Sequence, residues 1–376
     1  MKKINNITGI KVPFFPASEE YSFLKSELIE ALDEVGSSGV LILGPKVQEL
    51  EKRLAGFTKT QYCVGCASGT DALTLALKSL RLESNDEVIV PANSYPTIFG
   101  VALSGVKPVL VDVNSKTGNI DPSSVQKKIT SQTKAIVAVH LYGQSANVGS
   151  LVEICREKNI ILIEDCAQAF GATHKGRPVG SFGTLSTFSF YPTKNLGAYG
   201  DGGAIVTNDL NLFNRLKLLR MYGERSRYAS EELGNNSRLD ELQAAFLLKK
   251  LNYFNEWIMT RKKLAGIYHL GLKHIKELEL PFIDENNDHT YHLFPIKCNN
   301  RDELKNWLLS QEIETGIHYP NAIHQVITFK SLGNLGDFPN SETWAKEELS
   351  LPLHPFLSEV QIKHVVNKVS EFFINR

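Results

Sequence analysis

Residues 134–168, KAIVAVHLYGQSANVGSLVEICREKNIILIEDCAQ, read as a strand, a helix and a second strand. The runs Lys134–His140 and Ile160–Ile163 are short and rich in Val and Ile, and Ser145–Lys158 between them has helical character. Runs that are apolar at nearly every position suit strands covered on both faces, and parallel strands need a helical crossover to join them. The same alternation continues outward. Glu87–Pro91, Pro108–Val113 and Ser186–Tyr191 are further strand-like runs, and Thr70–Leu80 is a further helix candidate. The expectation is an α/β fold with a mostly parallel central sheet.

Near Leu239 the pattern changes. Leu239, Leu242, Phe246, Leu251, Phe254 and Ile258 fall close to helical spacing and predict one long helix. It reads as the link from a large domain, residues 1–250, to a smaller C-terminal α+β domain, residues 251–376. Ser26–Val35 reads as a helix broken by Gly36-Ser37-Ser38-Gly39. The N-terminal segment, residues 1–40, is a candidate to pack on the small domain.

The composition excludes several classes. The chain has 376 residues, 42% hydrophobic and 22% charged, with a formal net charge of zero. That balance suits a globular core and offers no general field for nucleic acid or an anionic membrane. No run is long and apolar enough for a membrane span, and the first residues make a poor signal peptide, so a cytoplasmic location is expected. Asn6-Ile7-Thr8 and Asn235-Asn236-Ser237 match the glycosylation pattern by chance on this reading. The cysteines are odd in number, Cys63, Cys66, Cys155, Cys166 and Cys298, which argues against a disulfide framework. Cys63-x-x-Cys66 lacks a second pair, so buried structural thiols are expected and no metal.

Three segments carry candidate chemistry. In Cys66-Ala-Ser-Gly-Thr-Asp71 a strand ends, a glycine turns the chain and a helix begins. The free N–H groups of a helix N-terminus there would hold a phosphate, and Ser68 with Asp71 equally fits an ordinary capping box. If a phosphate binds, Asp71 has to point away from it. Asp165 follows the run Ile160–Ile163, at the edge where open α/β sheets bind ligands. It suits either a cofactor partner or a helix cap. Lys194 follows the aromatic run Phe188–Tyr191 and Pro192, with Gly197, Gly200, Gly202 and Gly203 after it. A lysine in buried-looking sequence has a lowered pKa and makes a useful Schiff-base amine.

Several motifs in order then resemble a known family: SGTDAL (68–73), DEVIVPANSY (86–95), VHLYG (139–143), EDCAQAFGA (164–172), FSFYPTKNLGAYGDGG (188–203) and NSRLDELQAA (236–245). The chain resembles the DegT/DnrJ/EryC1/StrS sugar aminotransferases, which have the aspartate-aminotransferase (type I) fold and use pyridoxal 5'-phosphate (PLP). The resemblance implies that Lys194 carries the Schiff base and shuttles the proton, and that Asp165 partners the pyridine nitrogen. Gln168 would bond the ring hydroxyl, and Tyr95 would stack on the ring. Gly69, Thr70 and Ser189 would hold the phosphate, with Asn236 supplied by the second subunit of a homodimer. Tyr191, Arg220, Tyr228, His318, Tyr319 and His324 are the substrate candidates. His318-Tyr319-Pro320 matches the family segment that approaches the nucleotide-sugar, but Ala322 and Gln325 depart from its usual pattern.

The implied reaction passes an amino group from L-glutamate to a nucleotide-linked keto-sugar by way of pyridoxamine phosphate. The turn after Lys194 looks more like that of C-3 than of C-4 aminotransferases, which favours a dTDP-3-keto-6-deoxyhexose. A C-4 keto-sugar nucleotide or an inosose as acceptor, and a regulatory protein of the same fold, are the alternatives. A nicotinamide enzyme is disfavoured, because no G-x-G-x-x-G joins the first strand and helix.

Overall fold

The computed structural model describes residues 9–374. Asn6-Ile7-Thr8 and the first eight positions of the segment 1–40 lie outside them. The sheet that organises the chain has seven strands: β1 (Tyr62–Cys66), β2 (Glu87–Pro91), β3 (Lys107–Val111), β4 (Thr133–Val139), β5 (Ile161–Asp165), β6 (Leu185–Ser189) and β7 (Gly203–Thr207). Their spatial order is β1-β7-β6-β5-β4-β2-β3. All neighbours pair in parallel except β7, which runs antiparallel to both β1 and β6. The parallel strands are buried almost end to end, and their Val and Ile side chains feed cores on both faces.

This topology puts Cys66, Asp165 and Ser189 at one edge of the sheet, the carboxyl ends of β1, β5 and β6. Gly203 opens β7 at the same edge, opposite both Cys66 and Ser189. Four early helices matter to the site: α1 (Ala17–Ser38), α2 (Pro45–Thr58), α3 (Gly69–Ser79) and α4 (Tyr95–Leu103). Helix α1 runs through Gly36, Ser37 and Ser38 rather than breaking there. It stops at Gly39, whose φ of 68° is the left-handed cap that glycine adopts without strain.

The helix expected around Leu239 is two helices, α5 (Glu241–Leu251) and α6 (Phe254–Leu272). The N–H groups of Asn252 and Tyr253 bond to Lys249 O and Lys250 O, so the last turn tightens to three-residue spacing and the chain turns. Beyond it, β8 (Phe294–Lys297) and β9 (Glu348–Leu351) form an antiparallel pair. With α6, α7 (Arg301–Ser310) and α8 (Glu359–Ile374) they enclose a separate core. Val12 joins that core and bridges Ile313, whereas α1 lays Leu24 and Leu28 against Trp257, and Ala31 and Val35 against Ala245. The architecture is α/β, with a mostly parallel sheet and a smaller α+β unit. Among the described residues no helix is long and apolar enough to cross a membrane.

One buried carboxylate ties the early chain to α5. Glu241 is 1% exposed and accepts hydrogen bonds from the N–H groups of Gly44 (2.9 Å), Val47 (3.2 Å) and Lys46 at the start of α2. Replacing it with alanine leaves these donors without an acceptor. Glu241→Ala is expected to cost about 2 kcal/mol of stability, read as a lower denaturation midpoint with helix content retained below it.

Candidate active site

A cavity of about 510 Å³ opens at the carboxyl edge of the sheet. Lys194 and Asp165 both line it. Asp165 ends β5 and is 7% exposed. Its Oδ2 accepts from the Thr97 hydroxyl at 2.6 Å and its Oδ1 from the Ala167 N–H at 3.0 Å. Because Thr97 spends its proton on the carboxylate, the Ser94 hydroxyl, 2.7 Å from it, is the donor of that pair. Thus α4 aims the carboxylate, a role nothing near Asp165 in sequence announces.

Lys194 sits in the loop after β6. Its N–H closes a turn onto Tyr191 O at 2.8 Å, and the loop is tied back by Phe190 N–H to Gly202 O and Ala198 N–H to Phe190 O. A side chain at Gly197 would come within 2.3 Å of Pro192 O, so the loop's closure requires glycine there. The buried Lys250 donates to Gly197 O at 2.6 Å from α5 and also pairs with Glu20 of α1. Desolvation pushes the Lys194 amine down to about 8, against the opposing pull of Asp165. An appreciable fraction is therefore neutral near physiological pH, which a nucleophile and general base requires.

The phosphate-like cradle lies between α3 and β6. The first N–H groups of α3 have no intrahelical acceptor. Ser68 Oγ accepts the Asp71 N–H at 3.1 Å, which leaves the Gly69 and Thr70 end of the helix facing the cavity. The Asp71 carboxylate turns away and accepts from Ser237 at 2.7 Å. A Cβ on Gly69 would stand 2.6 Å from Ser189 Cβ, so the close approach of helix and strand admits no side chain. A helix N-terminus with two hydroxyl residues, an amine and a facing carboxylate is the donor set that PLP needs for its phosphate, aldehyde and ring nitrogen. The residues fit that group.

Further lining comes from Gln168, in the turn after β5, and from the C-terminal unit. Gln168 is fixed by the Tyr142 N–H, which donates to its Oε1 at 2.8 Å, and its Nε2 donates to the Tyr319 hydroxyl at 3.2 Å. The Tyr95 ring lies 6.1 Å from that of Tyr319, while its neighbours Ser94, Pro96 and Thr97 line the cavity. Tyr191 and His318 also line it. Burial, aided by Lys194, pushes the His318 imidazole down to about 4, so it is neutral at physiological pH.

Five expected site residues, Tyr95 among them, lie outside the lining of this chain's cavity. Arg220 is buried behind β1, where it donates to Glu51 at 2.6 Å and to Gly65 O at 2.8 Å. A buried guanidinium takes the nearest carboxylate, and this one is thereby committed to holding β1 rather than facing a substrate. His324 is likewise buried, 3.0 Å from Glu342 and packed on Phe338. Tyr228 and Asn236 are exposed on the surface of the chain.

The five cysteines are all buried. Burial raises the Cys63 and Cys66 thiols, as in inert structural cysteines. His140, Glu164 and Cys166 place ligand atoms within 4.8 Å of one another. The Glu164 oxygens are already taken by His140 and by the N–H groups of Gly180, Phe182 and Gly183, and His140 Nδ1 accepts from Ala146. Glu164, paired with His140, thereby fastens the 180–183 loop.

This sheet edge, with its lysine, carboxylate and helix N-terminus, is that of a type I PLP-dependent transferase. The chain belongs to the DegT/DnrJ/EryC1/StrS aminotransferase family, whose model matches residues 23–370. It is an aminotransferase. It is 42% identical over 97% of its length to a pleiotropic regulatory protein of Geobacillus stearothermophilus, covering 99% of that protein. It is also 42% identical over 96% of its length to dTDP-3-amino-3,6-dideoxy-alpha-D-galactopyranose transaminase of Aneurinibacillus thermoaerophilus, covering 99% of it. Among solved structures, S. venezuelae DesV in complex with a ketimine intermediate superposes with a TM-score of 0.94 at 39% identity, over 96% of this chain and 98% of that one. The Bacillus subtilis protein NtdA with bound pyridoxamine phosphate gives 0.88 at 31% identity, over 95% and 85%.

Gly69→Ala is expected to weaken PLP binding by about tenfold or more, because the new methyl group displaces Ser189 from the cradle. Fluorescence titration of the apoprotein with PLP measures it, and the secondary structure should be unchanged.

Proposed function

We propose that this protein uses PLP to move an amino group from L-glutamate to C-3 of a dTDP-3-keto-6-deoxyhexose. The observation that carries the reading is the partly neutral Lys194 amine sharing one cavity with Asp165, beside the Gly69–Ser189 cradle. When bound, PLP supplies an aldehyde that exchanges amino groups and a ring that accepts the electrons of a broken C–H bond. Asp165, held by Thr97 and Ala167, would pair with the ring nitrogen and keep a proton on it. Lys194 removes the α-proton of the amino donor and later returns a proton to the sugar carbon. Gly69, Thr70 and Ser189 would bind the phosphate and Gln168 the ring hydroxyl, with Tyr95 beside Tyr319 as the candidate aromatic neighbour. Tyr191, His318 and Tyr319 bound the space left for the sugar.

The choice of sugar rests on the turn after Lys194 and on the transaminase of A. thermoaerophilus named above. The likeness to a regulatory protein is equally high, but here the amine, carboxylate and cradle are all in place. A homodimer completes the reading. Asn236 is exposed, outside its own chain's cavity, and so available to a partner's phosphate site. Ile29, Leu32, Val40, Leu41 and Ile42 display an apolar surface from α1 onward.

The test loads the purified protein with PLP, converts it to the pyridoxamine form with L-glutamate, removes the donor and adds 3-keto and 4-keto dTDP-hexoses and an inosose. Return of the lysine-bound cofactor absorbance with the 3-keto sugar alone is expected. Return only with a 4-keto sugar or an inosose overturns the choice of acceptor, and no conversion by glutamate overturns the donor. Lys194→Ala is expected to slow turnover by more than about a thousandfold while still binding pyridoxamine phosphate, as dialysis against the free cofactor would show.

A further inference from the structure

His318 is held more firmly than a residue that merely lines a cavity needs to be. Its backbone N–H donates to Glu348 Oε2 at 2.6 Å, and its carbonyl accepts from the Tyr142 hydroxyl. The other oxygen of the same carboxylate, Oε1, accepts from the Ser350 hydroxyl. Ser350 Oγ lies 3.0 Å from His318 Nδ1. Glu348 and Ser350 are both 0% exposed and project from β9, so the arrangement is anchored in the antiparallel pair β8–β9.

The direction of these bonds follows from their donors. Burial pushes the Glu348 carboxyl up to about 7; above that pH it is a carboxylate, which only accepts, so Ser350 then has to donate to it. With its one proton spent, Ser350 Oγ can only accept from His318, which requires the proton on Nδ1. The imidazole, neutral through its burial in the cavity wall, then carries a bare lone pair on Nε2. Nδ1 is turned toward β9, which leaves Nε2 as the ring nitrogen available to the cavity.

We propose that Glu348 and Ser350 are positioning residues that lock His318 in the Nδ1–H tautomer, so that Nε2 accepts a hydrogen bond from a hydroxyl of the acceptor sugar. This rests on the proposed reading of the cavity as a sugar site. It adds two residues from a strand that no sequence motif singled out. The relay also makes an asymmetric prediction. In Glu348→Gln the fixed His318 N–H selects the amide oxygen, so the amide NH2 faces Ser350 and donates to it. Ser350 then donates to Nδ1, and the ring proton moves to Nε2. An isosteric change two residues removed from the ring therefore converts an acceptor into a donor.

The test is ¹⁵N NMR of protein labelled at histidine, recorded at alkaline pH where Glu348 is a carboxylate, with His318 identified by its loss in His318→Asn. Wild type is expected to show the Nδ1–H pattern and Glu348→Gln the Nε2–H pattern. In steady state, Glu348→Gln and Ser350→Ala should each raise KM for the keto-sugar about tenfold, with KM for glutamate and the rate of the glutamate half-reaction unchanged. Ser350→Thr, which keeps the hydroxyl, should restore the sugar KM and so separates the relay from a folding defect. The same tautomer in wild type and Glu348→Gln, or an equal loss in both half-reactions, would overturn the proposal. Failure of every keto-sugar to react would contradict the proposed function instead, and the tautomer comparison would then decide the relay alone.

Discussion

Sequestering the Lys194 amine in a cavity that also holds the Asp165 carboxylate is the constraint around which the site is arranged. Removing an ammonium from water disfavours its charge, while a nearby carboxylate favours it. Here desolvation wins and brings the amine to about 8. That outcome lasts only if the two groups are kept from collapsing onto each other. The carboxylate is engaged by Thr97 and Ala167. The lysine loop is fastened by its own turns and by Lys250, which reaches Gly197 O from α5. The placing of the amine thus depends on α5, through Lys250, and on α1, whose Glu20 pairs with Lys250 and also lines the cavity.

The sheet supplies the rest. Parallel strands bring their carboxyl ends to one edge, and the single antiparallel strand β7 starts at that edge directly after the lysine loop. As a result Gly69, Ser189 and Gly203, far apart in sequence, crowd together. A Cβ on Gly203 would meet Ser68 O at 2.3 Å. The same edge meets the C-terminal unit, whose β9 carries the residues that set His318. Part of the cavity wall comes from the sheet edge and part from the smaller unit.

Much of this was legible in the sequence because the relevant information is local. The Val and Ile runs mark buried strands, and Asp165, Ser189 and Lys194 stand at or just past the ends of such runs. What sequence reading missed is non-local. Thr97 aligns Asp165 from 68 residues away, and Glu348 lies 30 residues from His318. Arg220 has the right chemistry for a diphosphate, yet Glu51, 169 residues earlier, claims it. His324 is claimed in the same way by Glu342. The long helix predicted around Leu239 became two because the apolar spacing continues through a turn at Asn252 and Tyr253 that no glycine or proline announces.

The central claim is tested most directly by reducing the PLP-loaded protein with borohydride and mapping the modified peptide by mass spectrometry. The account predicts a pyridoxyl group on Lys194 and on no other lysine, Lys250 included. A label on another lysine, or none, would contradict it.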